Sequence, residues 1–98
     1  MRYANICRAI QNKSVVEFTY DGYRRIVEPH CHGLTDRNNP GLRGYQVGGG
    51  SASGEVPSWK MFDLNKALNI QITERNFGRP RLGYKKGDRD LNPIYCEL

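Results

Sequence analysis

Apolar residues near the start of the chain recur at the spacing of an α-helix. Tyr3, Ile6, Cys7 and Ile10 follow an i, i+3, i+4, i+7 pattern, which places their side chains on one face of a helix. A polar run at residues 12–14 then interrupts the pattern. We therefore predict a short amphipathic helix over residues 3–11.

From residue 15 the apolar spacing changes to the alternation of a β-strand. Val16, Phe18 and Tyr20 occupy every second position, and the pair Asp21-Gly22 follows them. An Asp-Gly pair between two β-prone runs is the strongest short hairpin signal, because both turn positions favour positive φ. The sequence therefore predicts strands over residues 15–20 and 23–30, joined by this turn.

Three more strands are predicted further along the chain, at residues 42–47, at 59–64 and around 68–72, with one helical turn over 64–68. The segments between them, 35–41 and 48–54, are polar or glycine-rich and read as loops. The second loop lacks the Lys-Ser/Thr pair of a phosphate-binding loop. We expect one core that buries Val16, Phe18, Tyr45, Val47, Phe62, Ile70 and Ile72.

One helix followed by five or six short strands predicts a mainly β fold, namely a small barrel with an N-terminal helix. Closure into a barrel removes the exposed edges that a small sheet otherwise has to protect. The 98 residues make a single domain. Its core is expected over residues 3–77, and residues 78–98 form a basic tail, rich in Gly and Pro, that supplies an edge strand or irregular structure.

Charge and cysteine content narrow the class of partner. Fifteen basic against ten acidic residues give a net charge of +5, which favours anionic partners, nucleic acid above all. Three cysteines without a CxxC pair argue against a disulfide framework. The chain has neither a signal-peptide pattern nor an apolar run that could span a bilayer. We expect a cytoplasmic, reducing location and no membrane partner.

Arginines and aromatic residues on the predicted strands are the candidate binding residues. Strand-borne guanidiniums beside aromatic rings combine phosphate contacts with surfaces on which bases stack. Alternation places the two neighbouring arginines on opposite faces, and the alternative is that both are solvated charges paired with Glu17 and Glu28. The candidate set is Tyr20, Arg24, Arg25, His30, Arg43 and Tyr45.

Metal binding and catalysis find less support in the sequence. In an extended strand His30 and His32 point to one side and Cys31 to the other, so the three cannot all bind one ion without distortion. A zinc site on the two histidines would need Cys7 or Cys96 from far away in sequence. We expect no metal and no cofactor. Because paired carboxylates and a complete triad are also missing, the sequence does not predict an enzyme. Trp59 is assigned to core or rim packing, and the tail cations to solvation, with nucleic-acid contact as a secondary role.

Four segments resemble, in order and approximate spacing, a WYL domain, a module named for a Trp-Tyr-Leu tripeptide. They are NICRAIQNKSVVEFTYDG, YRRIVEP, LRGYQVGG and WKMFDLNKALNI, which together cover about residues 5–77. The tripeptide itself is replaced by Leu42-Arg43-Gly44-Tyr45. The resemblance implies a small Sm-like, SH3-type five-stranded barrel with an N-terminal helix.

The resemblance also implies a function. WYL domains are ligand-sensing or nucleic-acid-binding modules of bacterial transcription regulators and phage-defence proteins, so the expected ligand is an anionic small molecule such as a nucleotide, or single-stranded nucleic acid. A helix-turn-helix domain usually precedes the module. Because none precedes it in this sequence, a regulator or effector protein, or a second copy of the chain, is an expected partner. The alternative is a protein-interaction module that docks through an edge strand and binds no nucleic acid.

One residue pair carries the sharpest expectation. Arg43 and Tyr45 share one face of the strand that matches the signature segment of the family, so they are predicted to hold a phosphate and stack its base. Replacing Arg43 by alanine should then weaken binding by about 1–3 kcal/mol. Arg37, in the polar loop, serves as the control.

Overall fold

The computed structural model describes residues 3–98. A helix, α1 (Ala4–Asn12), precedes six strands, of which β5 follows a short 3₁₀ turn (Leu64–Lys66). The strands are β1 (Ser14–Tyr20), β2 (Tyr23–Leu34), β3 (Pro40–Gly49), β4 (Ser58–Asp63), β5 (Leu68–Asn76) and β6 (Ile94–Glu97). The mainly β class with an N-terminal helix is confirmed.

Helix α1 forms where the apolar spacing predicts it. Its buried face carries Ile6, Cys7, Ala9 and Ile10. The helix ends at Asn12 and is capped by Lys13, which adopts a left-handed conformation with φ of 52°, so the chain turns directly into β1. The predicted helix is therefore confirmed, with bounds displaced by one residue.

The six strands form one antiparallel sheet in the order β4-β3-β2-β1-β5, with β6 also paired to β2. The predicted β1–β2 hairpin is present: Asp21 and Gly22 have φ of 50° and 80°, the positive values that this turn requires. Strand β2 runs four residues beyond its predicted end, because β3 and β6 pair with its last residues. It is therefore the strand on which the rest of the sheet is assembled.

The sheet curls around a small core, on which α1 packs. Phe62 of β4 contacts Phe18 of β1 with ring centroids 4.9 Å apart, although two strands lie between them in the sheet. The Asp63 backbone N–H also donates to the Tyr20 hydroxyl, at 3.2 Å. Strands β4 and β5 are the two ends of the sheet and do not pair with each other within residues 3–98. The described sheet is therefore open.

The predicted core needs correction at three positions. Val16, Phe18 and Phe62 are buried, and Ile70 packs against the core in part. Tyr45 and Val47 are only half-buried, and Ile72 is 40% exposed at the outer strand β5. Alternation defined the two faces of β3 correctly but not which one turns inward.

The inward face of β3 carries a polar residue, which explains the error. Gln46 is fully buried, because its Nε2 donates to the carbonyls of Gly48 and Gly50 and its Oε1 accepts from Arg25. A glutamine satisfied in this way can occupy the core, so counting apolar side chains selects the wrong face.

The inference against disulfides is wrong for one pair of cysteines. Cys7 on α1 and Cys96 on β6, 89 residues apart in sequence, form a disulfide. Cys31 is free and buried. The spacing of the cysteines gave no sign of this pairing, because only the packing of β6 against α1 brings the two residues together.

Residues 78–98 pack on the rest of the molecule. Leu91 is buried, and the Asn92 backbone N–H donates to the Leu34 carbonyl at 2.7 Å. Strand β6 then completes the sheet beside the end of β2. Within residues 3–98, no helix combines the length and apolar character needed to cross a membrane.

Candidate functional site

An open cleft of about 740 Å³ lies between the outer face of the sheet and the tail. Arg43 of β3 and Trp59 of β4 line one side. Residues 83–89, which we call the cleft loop, form the other side. The volume is that of a typical small-ligand pocket.

Aromatic rings form one wall of the cleft. The rings of Trp59 and Tyr84 lie nearly parallel, at 25°, with centroids 6.3 Å apart. Behind them His30 contacts both rings, at 4.7 Å and 5.1 Å. The Trp59 indole N–H donates to the Leu82 carbonyl at 3.2 Å. This bond holds the indole against the start of the cleft loop.

Two glycines shape the cleft loop. Gly83 and Gly87 have φ of 94° and 74°, a conformation that favours glycine. At Gly83 a Cβ would also lie 3.2 Å from the Trp59 indole nitrogen. These residues let the chain turn closely around the tryptophan and present the segment between them, Tyr84-Lys85-Lys86, to the cleft.

An ion pair anchors the far end of the cleft loop to the sheet. The Arg43 Nε donates to Asp88 Oδ2 at 2.7 Å, and its Nη2 donates to Asp90. Burial acts to raise the pKa of Asp88, but hydrogen bonds from Arg43 and from the Asp90 backbone, with the charge of Arg43, outweigh it and lower this pKa. The pKa of Arg43 is raised mainly by its hydrogen bond to Asp88.

Three cations of the cleft loop remain available. Lys85, Lys86 and Arg89 are exposed and line the cleft. None of them forms an ion pair or a side-chain hydrogen bond with any residue in the part of the chain that the structure describes. Because Asp88 neutralises Arg43, these three side chains supply the net positive charge of the cleft.

The tail is fastened beside the cleft at Arg81. Its guanidinium makes a bidentate pair with Glu28, at 2.6 Å and 2.9 Å, and lies 5.0 Å from the centre of the Tyr45 ring. Its backbone N–H donates to His30 Nε2 at 3.0 Å. The pKa of Arg81 is raised, chiefly by its hydrogen bond to Glu28. These bonds fix where the cleft loop begins.

Both histidines of β2 are buried, and His30 is neutral. His30 Nε2 accepts from Arg81, so its Nδ1 carries the proton that is donated to the Glu28 carbonyl, at 2.8 Å. His32 Nδ1 lies 2.8 Å from the Gly41 carbonyl oxygen. Burial lowers the pKa of each ring below the usual 6.5. His30 thus acts as a packed hydrogen-bond acceptor for the tail.

Of the six predicted binding residues, one lines the cleft, and two more pack against its tryptophan. Arg43 lines it, and both Tyr45 and His30 contact Trp59, at 5.4 Å and 4.7 Å between ring centroids. Tyr45 lies between Trp59 and the guanidinium of Arg81. The predicted pairing of Arg43 with Tyr45 on one face is therefore present, with tail residues packed against both side chains.

Arg25 lies elsewhere, at the end of the core. It is only 5% exposed and donates to the Tyr20 carbonyl and to Gln46 Oε1. Its guanidinium also lies within 5.8 Å of the ring centres of Tyr20, Tyr23 and Phe62. No carboxylate pairs with it among residues 3–98. These contacts match a structural role for Tyr20 and Arg25.

Arg24 faces the opposite side of the sheet. It donates to the Asn69 carbonyl and to Gln71 of β5, and its Nε lies 3.7 Å from Glu17. The predicted separation of the two neighbouring arginines onto opposite faces is confirmed. The alternative pairing with Glu17 holds for Arg24, whereas Glu28 pairs with Arg81 instead.

The His30–His32 segment offers no ion site in the described residues. The rings occupy different surroundings, His30 beside Trp59 and His32 between Tyr3 and Tyr95. No group of three or more His, Cys, Asp or Glu residues within positions 3–98 is placed to share a metal. Burial raises the pKa of the Cys31 thiol to about 12, so it stays protonated at neutral pH.

Sequence reasoning missed the residues that build the cleft. Trp59 was assigned to packing and the tail cations to solvation, yet together they form the wall and the charged loop. The available signal was the pair of glycines at 83 and 87, which bracket one aromatic residue and two lysines. Comparison with known proteins adds nothing to this geometry, since no family model, curated protein or solved structure matches the chain.

Proposed function

We propose that this protein is a WYL-like binding module that takes an anionic ligand bearing a planar ring, namely a nucleotide or single-stranded nucleic acid. The observation that supports this proposal is the cleft, in which Lys85, Lys86 and Arg89 stand unpaired beside Trp59 and Tyr84. Binding rather than catalysis is proposed, in the service of transcription regulation or phage defence, as the resemblance implies.

Charge attracts such a ligand to the cleft. Four cations and one carboxylate line it, so the local field is positive even after Asp88 has neutralised Arg43. Lysine and arginine side chains on a loop contact phosphates without reading sequence. The resulting affinity depends strongly on salt, because phosphate contacts release counterions.

The aromatic wall supplies the second contact. Trp59 is held by its indole hydrogen bond, and Tyr84 donates its hydroxyl to the Leu98 carbonyl at 3.0 Å. Rings fixed in this way stack bases with little loss of side-chain entropy, and each stacked base is worth about 1–3 kcal/mol. A planar base with an attached phosphate therefore matches both parts of the cleft.

The proposal includes the small Sm-like barrel that the resemblance implies. The curl of the sheet, which places Phe62 against Phe18, supports a barrel-like arrangement. It leaves the outer faces of β3 and β4 free to carry the tail and the cleft. A partner protein with a DNA-binding domain would supply sequence recognition.

Salt-dependent binding of a fluorescent oligothymidylate tests the proposal. We expect binding at low salt that weakens steeply as salt rises. Replacing Lys85, Lys86 and Arg89 together by alanine should abolish most of this binding and flatten the logarithmic salt slope by about two units, since a single strand contributes about 0.7 for each phosphate contact.

The matched control removes the same charge elsewhere. Arg8, Arg37 and Lys66 are exposed and lie outside the cleft, so their triple alanine variant should retain most of the affinity and nearly all of the salt slope. Equal losses in the two triple variants would show that net charge alone drives binding, and would contradict the proposal.

The second candidate function is docking of another protein on strand β5. This strand is an end of the described sheet and offers nine residues of backbone on its free edge. Leu68 and Ile72 are exposed on it, at 62% and 40%. Exposed edges of this kind pair with other chains.

Proline substitution distinguishes this second candidate. Replacing Gln71 by proline on β5 should abolish an edge-strand complex but leave oligonucleotide binding intact, because β5 does not line the cleft. Complex formation would be followed by light scattering at low and at high salt. A complex formed by edge docking should persist at both salt concentrations. If wild type binds neither nucleotides nor oligonucleotides, this candidate replaces the first.

A further inference from the structure

Arg43 forms ion pairs with two carboxylates, although one carboxylate would neutralise its charge. Its Nε donates to Asp88 Oδ2 at 2.7 Å, and its Nη2 donates to both Asp88 and Asp90. One guanidinium and two carboxylates leave a net charge of −1 at a position that borders the proposed anion site. This excess negative charge opposes the entry of an anionic ligand.

The two aspartates differ in their surroundings. The Asp88 side chain is 12% exposed and also accepts the Asp90 backbone N–H at 3.0 Å, so it holds the end of the cleft loop. The Asp90 side chain is 70% exposed, and Arg43 is its only hydrogen-bond partner among residues 3–98. Asp88 therefore anchors the cleft loop, whereas the Asp90 side chain can move away from Arg43 without breaking another hydrogen bond.

Arg43 also keeps donors for a ligand. Its Nη1 has no hydrogen-bond partner within residues 3–98, and no fully buried side-chain nitrogen or oxygen of that range lacks one, so Nη1 keeps some contact with solvent. A phosphate that approaches Nη1 would meet the Asp90 carboxylate on the neighbouring Nη2. The two anions would compete for one guanidinium.

We infer that Asp90 is an internal competitor that occupies Arg43 in the free protein and lowers the affinity of the cleft for the anionic group of its ligand. The inference rests on the proposed function and concerns regulation of the same site. When the ligand binds, its phosphate takes the Nη donors of Arg43, Asp90 turns to solvent, and Asp88 keeps the loop in place.

Neutralising Asp90 tests the inference. Binding of a fluorescent oligothymidylate at low salt would be measured for wild type and for Asp90→Asn. We expect the variant to bind about two- to fivefold more tightly, the range that the loss of one exposed ion pair allows. Because the Asp90 side chain is exposed, the melting temperature of the Asp90→Asn variant should stay close to that of wild type. Asp90→Ser should give the same gain in affinity.

Asp36→Asn is the matched control. Asp36 and Asp90 both line a second cavity, of about 560 Å³. Asp36 makes no ion pair with Arg43, and its substitution changes the net charge equally. Its affinity should stay near that of wild type. An equal gain in both variants, or a loss in a folded Asp90→Asn protein, overturns the inference.

The outcomes also separate the inference from the proposed function. Salt-dependent binding by wild type with no gain in Asp90→Asn or Asp90→Ser leaves the proposed function standing and overturns the inference alone. Absence of binding by wild type and by both Asp90 variants overturns both.

Discussion

Two neighbouring arginines show how far the role of a residue depends on its surroundings. Arg25 and Arg24 differ by one position, yet the first is buried among rings and the second lies on the outer face. A buried guanidinium without a carboxylate is maintained by its bonds to a carbonyl and a glutamine and by cation–π contact. Such a residue stabilises the fold and does not contact a ligand in the cleft.

Methionine substitution measures this difference. Arg25→Met should lower the free energy of unfolding by about 1–3 kcal/mol, because it leaves buried Gln46 Oε1 and the Tyr20 carbonyl without their donor. Arg24→Met, the control, should cost less than about 1 kcal/mol, as exposed ion pairs do. Urea denaturation gives both values. Equal effects would show that Arg25 is solvated in the native state.

Asp88 provides a second test at the scale of one residue. Its hydrogen bonds to Arg43 and to the Asp90 backbone fix the cleft loop. Asp88→Asn should therefore weaken oligonucleotide binding, although it makes the cleft more positive. An increase in affinity would mean that the loop needs no anchor at this point.

At the scale of elements, the tail depends on a neutral histidine. His30 accepts from Arg81, and burial lowers the pKa of both His30 and His32. Below about pH 6.5 the two histidines bind protons in the unfolded chain but stay unprotonated in the native state, so the free energy of unfolding decreases as pH falls. The free energy of unfolding should thus decrease between about pH 7 and pH 5.

Substitution at His30 identifies the source of this pH dependence. His30→Gln keeps a polar side chain but does not titrate, so its stability should fall less steeply over the same range, with His32 supplying the remainder. Chemical denaturation at a series of pH values provides the slopes. A wild-type stability that is flat down to about pH 5 would contradict the buried, neutral assignment.

The disulfide between α1 and β6 is the second contact that attaches the tail to the rest of the molecule. Closing a loop of this length restricts the unfolded chain, so its loss should cost about 2–5 kcal/mol. Cys96→Ser should show this loss in urea denaturation, and wild type with reductant should match it. The variant itself should be insensitive to reductant. Three reactive thiols in unreduced, denatured protein would contradict the pairing.

The whole molecule shows which features the sequence could predict. Local patterns predicted α1, the Asp21-Gly22 hairpin and the five strands, because spacing and turn chemistry act over a few residues. Contacts between distant segments were not predictable in this way. The Cys7–Cys96 bond, the Glu28–Arg81 pair and the cleft loop all join residues more than 40 positions apart. The expectation of a cytoplasmic, reducing location rested on the cysteines and on the missing signal-peptide pattern, and the disulfide removes the first of these two supports.

The single tryptophan gives the most direct test of the cleft as the binding site. Trp59 lines the cleft and is the only residue of its type in the sequence, so its emission reports on stacking at that place. Titration with an unlabelled oligothymidylate at low salt should quench the emission saturably, and added salt should restore it. The Arg8, Arg37 and Lys66 triple variant should behave like wild type, whereas the Lys85, Lys86 and Arg89 variant should show little quenching. Oligonucleotide binding by anisotropy with unchanged Trp59 emission would place the ligand elsewhere and contradict the account.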